Sequence, residues 1–393
     1  MLLVKNAEIY SPEYLGKKDV VIAGGKIEEI GGNIEISKSF SNVEVIDGEG
    51  KYLFPGFIDS HVHILGGGGE DGFHSRTPEI NLSDITSAGI TTVVGCLGTD
   101  SVTRDMRSLL AKARALEEDG ITTYIFTGSY DIPVRSMFNE PDEDIVLIDK
   151  VVGIGEVALS DHRSSQPTYE EFIRVVAKAR VGGLLSGKAG IVDIHMGGGK
   201  AGLKYLFRML KETEISVNQV LPTHVNRCEE LMREAVEYAK IGGLVDITTS
   251  SDSDNLEPGE ELASESLKYF LDNGVPIENI QFTSDGQGSL PIFRENGELK
   301  GIGIGRVDSL YREVRAAILN KDIPIEQALK LITSNVAKNF KFAQKGRIKQ
   351  GLDGDLVLVD KQTLKIKDVI CMGNIMIKDE EIIKRGTFET NTR

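Results

Sequence analysis

The sequence has little cysteine and too little positive charge for several common classes of protein. Three cysteines, Cys96, Cys228 and Cys371, are scattered over 393 residues without a C-x-x-C pair. This argues against a disulfide framework and favours a reducing cytoplasm. The formal net charge is -15, and the basic clusters that bind nucleic acid or an anionic membrane are missing. We therefore expect neither a nucleic-acid partner nor a membrane partner.

Long apolar segments are missing too. No stretch approaches the roughly 20 residues needed to cross a bilayer, and residues 1–6 lack the sustained apolar core of a signal peptide. The composition, 40% hydrophobic and 27% charged, is ordinary for a globular protein. The length suits one large domain plus a smaller one. The sequence thus predicts a soluble, cytoplasmic protein.

Two patterns of hydrophobicity divide the chain. Short apolar runs separated by glycine-rich turns lie at both ends and predict β-strands. Between them, strands that end in polar residues alternate with segments of helical period. Eight such strands are predicted, at 57–63, 91–99, 122–130, 151–161, 191–196, 220–226, 244–250 and 280–286. Eight strand–helix units in about 290 residues predict an α/β fold with a (β/α)8 TIM barrel, with a doubly wound open sheet as the alternative.

The two ends of the chain are predicted to combine into one small domain. Residues 1–54 and 345–393 share the strand-rich pattern, and we expect them to form a β-sandwich beside a barrel at residues 55–344. A barrel is favoured because the unusual polar residues lie at the carboxyl ends of strands. That is the face where a barrel collects its active site.

Histidine is scarce, and four of the six histidines lie at predicted strand ends. His61 and His63 alternate along the first strand, so both side chains point to the same face. His195 and His224 end the fifth and sixth apolar runs. An isolated H-x-H pair is as often solvated or hydrogen-bonded, but packing explains four such placements poorly. Imidazoles that meet at one edge of a sheet are typical metal ligands.

Two acidic residues complete a candidate metal centre. Glu156 lies on the fourth predicted strand and Asp285 on the eighth. Four imidazoles and two carboxylates suit two divalent ions, bridged by a carboxylate and a water or hydroxide, better than one tetrahedral zinc. Two cations would lower the pKa of that water and polarise a scissile carbonyl, and Asp285 is expected to shuttle the proton. Zinc is the expected metal, although manganese, iron and cobalt fit the same ligands.

Several motifs give the chain a family resemblance. Residues 55–63, which end in the H-x-H pair, resemble the opening signature of the amidohydrolase superfamily. Within it, the glycine run at 66–69 before Glu70 resembles the isoaspartyl (β-aspartyl) dipeptidases. Further matches cover the barrel in order, at 76–79, 98–100, 127–130, 160–164, 180–184, 222–227 and 284–289. The resemblance implies a metallopeptidase that hydrolyses the β-aspartyl amide bond of dipeptides, and a large homo-oligomer, an octamer.

One position departs from that family. Its usual bridging ligand is a lysine carboxylated on the ε-amine, and Glu156 stands there instead. A glutamate is shorter, so its carboxylate would fall short unless the backbone moved inward. Gly155 could permit such a shift or a local bulge. We interpret Glu156 as a built-in bridging carboxylate; the alternative is a lone buried acid beside a single metal ion.

An isoaspartyl dipeptide carries an ammonium group and two carboxylates, so its site needs an acid and cations. The resemblance implies that Glu70, with Gly68 and Thr99, binds the ammonium group. The glycine run would let backbone approach the substrate and let the loop move. As an alternative, this run could be a phosphate-binding loop, but no P-loop lysine or G-x-G-x-x-G spacing follows it.

Four further residues are candidate substrate contacts. Arg163 and Arg227 follow two ligand-bearing strands, and guanidinium groups suit bidentate carboxylate binding, although any single arginine is as often a surface ion pair. The resemblance implies that Tyr130 donates its hydroxyl to the developing oxyanion and that Ser289 contacts a carboxylate. Tyr130 and Glu70 are thus expected to join Asp285 as catalytic residues.

The other unusual residues receive simpler interpretations. His74, in the loop after Glu70, is expected to have no functional role, and His162 is expected to be structural or to contact the residues around the site. Cys96 is expected to be a core residue rather than a nucleophile. Two alternative functions remain open. One is a cyclic-amide hydrolase or N-acyl-amino-acid deacylase of the same superfamily, favoured if Glu70 and the two arginines do not converge. The other is an inactive scaffold of the same fold.

Overall fold

The computed structural model describes residues 1–37, 42–253, 256–257, 259–293 and 299–390. The strands in these residues are β1 (Leu2–Tyr10), β2 (Tyr14–Ala23), β3 (Lys26–Gly31), β4 (Glu44–Asp47), β5 (Lys51–Pro55), β6 (Phe57–Val62), β7 (Ile90–Gly95), β8 (Thr122–Thr127), β9 (Val151–Leu159), β10 (Ile191–Met196), β11 (Val220–Thr223), β12 (Val245–Thr248), β13 (Ile280–Thr283), β14 (Ser289–Phe293), β15 (Leu299–Ile304), β16 (Leu356–Asp360), β17 (Ile366–Cys371), β18 (Asn374–Lys378) and β19 (Glu381–Ile382). The helices are α1 (Leu82–Ser87), α2 (Met106–Asp119), α3 (Pro141–Leu147), α4 (Tyr169–Ser186), α5 (Lys204–Glu212), α6 (Glu229–Lys240), α7 (Ala263–Asp272), α8 (Ser309–Asn320), α9 (Ile325–Lys330) and α10 (Ser334–Asn339).

A curled parallel sheet forms the centre of the molecule. Strands β6 to β11 pair in chain order, and β12 pairs with β13 in the same parallel sense. The Val225 amide donates to the carbonyl of Asp246 in β12, and a parallel bridge joins Val62 in β6 to Gly286. A doubly wound sheet would reverse its strand order part-way along, and these strands do not. The structure thus has an α/β fold in which the carboxyl ends of the parallel strands lie along the same curved edge of the sheet.

The helices between these strands begin and end at recognisable signals. The side chain of Asp105 accepts a hydrogen bond from the Ser108 amide at the start of α2. Thr168 and Glu171 form a reciprocal capping box at the start of α4. Gly120 and Gly187 end these two helices in the left-handed region, where a side chain would be strained. Short, capped helices return the chain to the next strand.

The strands from the two ends of the chain form one nine-stranded mixed sheet. Its order is β19-β18-β17-β16-β5-β1-β2-β3, and β4 pairs with β1. The sheet has an apolar core separate from that of the curled sheet, with members such as Val4, Ile9, Leu53, Leu358 and Ile370. Strand β5 leads directly into β6, so the mixed sheet adjoins the start of the curled sheet.

Most strands of the curled sheet are shorter at the carboxyl end than the sequence predicts. The sixth apolar run was expected to extend to residue 226, but β11 ends at Thr223. The eighth was expected to reach residue 286, but β13 ends at Thr283. The reason is local, because His224 and Asp285 have positive φ angles of 58° and 52°, which no regular strand accommodates. The backbone therefore turns where the functional side chains begin.

Among the described residues, no helix combines the length and apolar composition that crossing a membrane requires.

Candidate active site

Glu156 lies at the centre of the site, buried to 1% exposure on β9. One residue of β10, Asp193, stands opposite two residues of β9, Gly155 and Glu156, so the strand bulges at this point. A Cβ atom on Gly155 would lie 2.7 Å from the Cβ of Asp193, which only glycine avoids. Of the two possibilities that the sequence left open at Gly155, an inward shift or a local bulge, the strand shows a bulge, and it carries the Glu156 carboxylate among the histidines.

Four imidazoles surround this carboxylate. Its Oε2 lies 3.2 Å from His61 Nε2, 3.2 Å from His195 Nδ1 and 3.6 Å from His224 Nε2, and its Oε1 lies 3.4 Å from His63 Nε2. These histidines project from or just beyond the carboxyl ends of β6, β10 and β11. The structure thus brings together all four histidines that the sequence singled out.

Asp285 approaches from beyond β13. Its Oδ1 lies 3.0 Å from His63 Nε2 and 3.8 Å from His61 Nε2. Its side chain is a fifth exposed, more than that of any of the four histidines, and therefore faces the opening of the site. In this position the carboxylate can contact a metal ion held by the histidines and also a substrate.

The donor atoms form two groups that each have the composition of a metal site. His61, His63, Cys96 and Glu156 form one group, and Glu156, His195 and His224 form the other. Glu156 belongs to both, as a bridging ligand would.

Unsatisfied atoms support the same interpretation. Among the described residues, His61 Nε2, His224 Nε2 and Asp285 Oδ1 are buried without a hydrogen-bond partner. Such atoms are costly unless a ligand satisfies them. Gly98 leaves room beside them, since a Cβ there would lie 2.9 Å from His63 Cε1 and 3.3 Å from Glu156 Oε1. The residues present therefore fit divalent metal ions.

The protonation states of Glu156, Asp285 and His224 suit metal binding. Burial alone would raise the pKa of Glu156, but the surrounding imidazoles, His61 and His195 first, hold it well below its usual value. Burial opposes ionisation of Asp285 as well, but the adjacent His63 ring lowers its pKa to about 2. Burial, and then the charge of His195, lower the pKa of His224 to about 3, which keeps that ring neutral. Ionised carboxylates and neutral imidazoles are the forms that bind metals. Burial lowers the pKa of His61 and His63, but the nearby Cys96 and then the neighbouring carboxylates raise it well above its usual value, so these two rings must lose a proton before they bind a metal.

Three histidines have their other ring nitrogen close to a buried side chain. His61 Nδ1 lies 2.9 Å from Asp193 Oδ2. His224 Nδ1 lies 2.6 Å from the Thr248 hydroxyl, and His63 Nδ1 lies 3.7 Å from Cys96 Sγ. Such contacts fix ring orientation and leave the opposite nitrogen free to bind a metal.

Sequence reasoning missed these partners. Cys96 is buried as predicted, but it contacts the histidine cluster as well as the apolar core. Asp193 had a signal that was not used, because it lies two residues before His195 and so shares its face of the strand. Thr248 had no such signal, since only the pairing of separate strands places it beside His224.

The residues predicted to bind the ammonium group lie close together, beside the histidine–carboxylate cluster. Glu70 Oε1 accepts a hydrogen bond from the Thr99 hydroxyl at 2.8 Å, and Oε2 accepts one from Ser289 at 3.4 Å. Arg163 lies 3.5 Å from the same acid. Gly68 has a φ of 70°, and a Cβ there would lie 2.5 Å from the Ser75 carbonyl oxygen, so only glycine fits. Glu70 thus lies within reach of three other predicted substrate contacts.

Tyr130 and Arg227 complete the predicted set. Strand β8 ends at Thr127 rather than at Tyr130, which follows in a loop. The Tyr130 hydroxyl lies 2.8 Å from His195 Nδ1, and Arg227 lies 3.1 Å from Nε2 of that ring. Burial, and then the charge of Glu156, raise the pKa of Tyr130, so its hydroxyl keeps its proton and remains a donor. His74 is exposed, and so is His162, which was expected to be structural or to contact the residues around the site.

Comparison with known proteins agrees with this geometry. The family model described as "Amidohydrolase family" matches residues 52–376. The chain belongs to the amidohydrolase family. It is 45% identical to the β-aspartyl dipeptidase of Fervidobacterium islandicum AW-1, solved in complex with a β-Asp-Leu dipeptide. That similarity covers 99% of this chain and 98% of the other, with a TM-score of 0.91. The family predicted from the sequence is confirmed.

More distant relatives share only parts of the chain or only its fold. A D-hydantoinase structure is 19% identical with a TM-score of 0.68, covering 99% of this chain and 98% of that one, which shows a common fold. The dihydroorotase of Staphylococcus epidermidis is 39% identical over 93 residues, or 24% of this chain. The chain aligns with 21% of that dihydroorotase's length.

Proposed function

We propose that this protein is a metal-dependent β-aspartyl dipeptidase that hydrolyses the β-linked amide bond of isoaspartyl dipeptides. The observation that carries the proposal is the convergence of one acid and two arginines on the histidine–carboxylate cluster: Arg163 contacts both Glu70 and His195, and Arg227 contacts His195. The full-length similarity to a dipeptidase that was solved with a β-Asp-Leu dipeptide supports it. Histidine–carboxylate clusters serve many reactions, so the choice among these reactions depends on the residues that would bind the substrate's charged groups.

Two divalent ions, expected to be zinc, would be held by the residues around Glu156. His61, His63 and Asp285 would hold one, His195 and His224 the other, and Glu156 would bridge them in place of a carboxylated lysine. The two donor groups that share Glu156 support this arrangement. When bound, the ions would supply a water of lowered pKa and polarise the scissile carbonyl.

The protein's own residues would move the proton and stabilise charge. Asp285, ionised and facing the opening, would take a proton from the attacking water and pass it to the leaving amine. Tyr130, which keeps its proton, would donate its hydroxyl to the oxygen of the scissile carbonyl as negative charge develops there. Both roles need groups already in place beside the cluster, which the distances to His63 and His195 support.

The substrate's charged groups would determine its orientation. Glu70, with Thr99 and the Gly68 backbone, would bind the α-ammonium group. Arg163, Arg227 and Ser289 would bind the carboxylates through charge-assisted hydrogen bonds. In the free protein Glu70 and Arg163 are 3.5 Å apart, so a zwitterionic substrate would replace one ion pair with two.

A cyclic-amide hydrolase or an N-acyl-amino-acid deacylase is the second candidate. Cyclic-amide enzymes share the fold, as the D-hydantoinase comparison shows, but that level of identity does not extend to substrate. A cyclic amide has no α-ammonium group, and Glu70 beside Arg163 would then have no substrate partner. The convergence of Glu70 with the arginines therefore favours the dipeptidase.

We also propose the domain architecture and the oligomeric state. The curled sheet would close into an eight-stranded TIM barrel at residues 55–344, as the contacts of Val62 with Gly286 support. Residues 1–54 and 345–393 would form the small β-sandwich domain, which the separate apolar core supports. We further propose a homo-octamer in the cytoplasm.

A substrate comparison tests the function. We expect hydrolysis of β-Asp-Leu with a kcat/KM on the order of 10²-fold or more above that for α-Asp-Leu, since a site built around substrate charges rejects misplaced ones. Dihydroorotate and hydantoin serve as cyclic-amide substrates in the same assay. Faster hydrolysis of either cyclic amide, or no preference between the two dipeptides, would overturn the proposal.

A further inference from the structure

Asp161 lies just beyond β9, between a metal-facing histidine and the two arginines of the substrate site. Its Oδ2 is 3.1 Å from His195 Nε2, 2.8 Å from Arg163 Nη2 and 3.7 Å from Arg227 Nη1. Its Oδ1 accepts hydrogen bonds from the Arg163 amide at 2.7 Å and from Arg163 Nε at 3.0 Å. Neither the sequence motifs nor the comparisons assign this carboxylate a role.

The surroundings of His195 leave its proton with two possible positions. A neutral imidazole carries one proton, on Nδ1 or on Nε2. Nδ1 faces Glu156 at 3.2 Å and the Tyr130 hydroxyl, which can donate or accept, at 2.8 Å, on the side where the second metal would bind. Nε2 faces Asp161, but Arg163 Nη2 and Arg227 Nη1 also lie 3.1 Å from it.

The two arrangements have opposite consequences for metal binding. If Nε2 carries the proton, it donates to Asp161 and leaves a lone pair on Nδ1. If Nε2 instead accepts a hydrogen bond from a guanidinium group, the proton lies on Nδ1 and occupies the position of the metal. The two cations beside Nε2 favour the second arrangement unless an anion lies between them and the ring.

We propose that Asp161 is a positioning residue that keeps the His195 proton on Nε2 and so makes Nδ1 available to the second metal ion. The inference rests on the binuclear centre proposed above. Its physical basis is that the carboxylate engages Arg163 through both oxygens and still directs Oδ2 at the ring. A fixed acceptor on the far side of a ligand histidine sets its tautomer.

Asp161→Asn tests this inference, because it preserves size while removing the charge. We expect the second metal to bind about 10–100-fold more weakly, the usual effect of losing such a partner, while the first metal binds as before. The measurement is zinc affinity and zinc content per chain, by competition against a chelating dye. It does not depend on catalysis.

Asp353→Asn is the matched control. Asp353 is also a largely buried aspartate between two cations, Lys26 and Lys345, but it lies away from the histidines. The Asp353→Asn variant should bind both metals as the unaltered protein does. Asp161→Glu, which retains a carboxylate, should recover most of the second-site affinity, whereas a merely structural role would not distinguish these two replacements.

The possible outcomes separate this inference from the proposed function. Two metals bound to Asp161→Asn with unchanged affinity would overturn the inference, whatever the substrate. Two metals in the unaltered protein without hydrolysis of β-Asp-Leu would overturn the dipeptidase while the affinity comparison still decides the role of Asp161. Should Asp161→Asn not fold, the Glu variant decides, and weak second-site binding there would overturn the inference.

Discussion

Two clusters of buried ionisable residues differ in how their charges are paired. Near the mixed sheet, Lys345 lies 2.8 Å from Asp353 and 2.6 Å from Asp355, and it also donates to Thr122. Asp355 in turn accepts a hydrogen bond from the Met372 amide. In the cluster around Glu156, by contrast, several buried atoms have no hydrogen-bond partner within the protein.

The pairing within each cluster distinguishes buried charges that stabilise the fold from buried charges that are arranged to bind a ligand. Burying a charge is tolerated when every polar atom is satisfied, and the Lys345 cluster meets that condition. The Glu156 cluster holds four rings and two carboxylates with their free atoms directed at one another, which is unfavourable unless a ligand completes it. Replacing residues in the first cluster should therefore affect stability, and replacing residues in the second should affect metal binding and activity.

Glu156→Gln should give the largest effect. The amide cannot bridge two cations as a carboxylate does, so we expect loss of both metals. The fall in kcat should exceed the ~10²–10⁴-fold typical of one proton-transfer group. Elemental analysis and β-Asp-Leu turnover measure the two quantities. A variant that kept both metals and more than a tenth of the activity would show that Glu156 is not a bridging ligand.

Asp285→Asn should follow. An amide cannot accept the proton from water, so kcat should fall by about 10²–10⁴-fold while KM for β-Asp-Leu changes little. Steady-state kinetics over a range of substrate concentrations measures both. A change confined to KM would show that Asp285 binds substrate and does not transfer the proton.

Lys345→Met should lower stability and leave activity unchanged, in contrast to the two preceding substitutions. It leaves Asp355 buried without its cation, and breaking a buried pair on one side typically costs about 3–5 kcal/mol of unfolding free energy. Urea unfolding measures this loss, while kcat per folded, metal-loaded chain should stay as it was. Lys338→Met, at an exposed position of α10, is the control and should change neither. Equal stability of the two variants would contradict the structural role of this cluster.

The smallest effect concerns Asp100, a paired acid at the active face. Burial would raise its pKa, but hydrogen bonds from Thr103, the Val102 amide and Arg76 hold it at about 2. Because this folded-state value lies below the ordinary one, the stabilisation is complete above about pH 4 and is lost as pH falls towards 2. Urea midpoints at pH 5, 3 and 2 should therefore fall less for Asp100→Asn than for the unaltered protein. An identical pH dependence would show that this pairing contributes nothing.

The sequence allowed much of the fold and the site to be predicted, because alternation along strands is a local property. His61 and His63 share a face by period two, and the position of Glu156 follows from spacing to the next motif. The exact strand ends could not be predicted, since they depend on the positive φ angles of His224 and Asp285. Asp161 lies within a predicted motif, but its contacts with His195 and Arg227 arise only when separate strands meet.

Missed strands have a similar explanation. The hairpin of β14 and β15 was not predicted, since its first strand contains Pro291 and is only five residues long. Its position matters because Ser289, at its start, contacts Glu70. Ser289 therefore stays a predicted substrate contact, and the sequence did not reveal the hairpin that holds it.

The most direct test of the Glu156 bridge is metal content per chain, measured by elemental analysis on the same sample that is assayed with β-Asp-Leu. We expect about two divalent ions per chain together with hydrolysis, because Glu156 would bridge two sites. One ion or none, with no hydrolysis after zinc is restored, would contradict both the bridge and the dipeptidase.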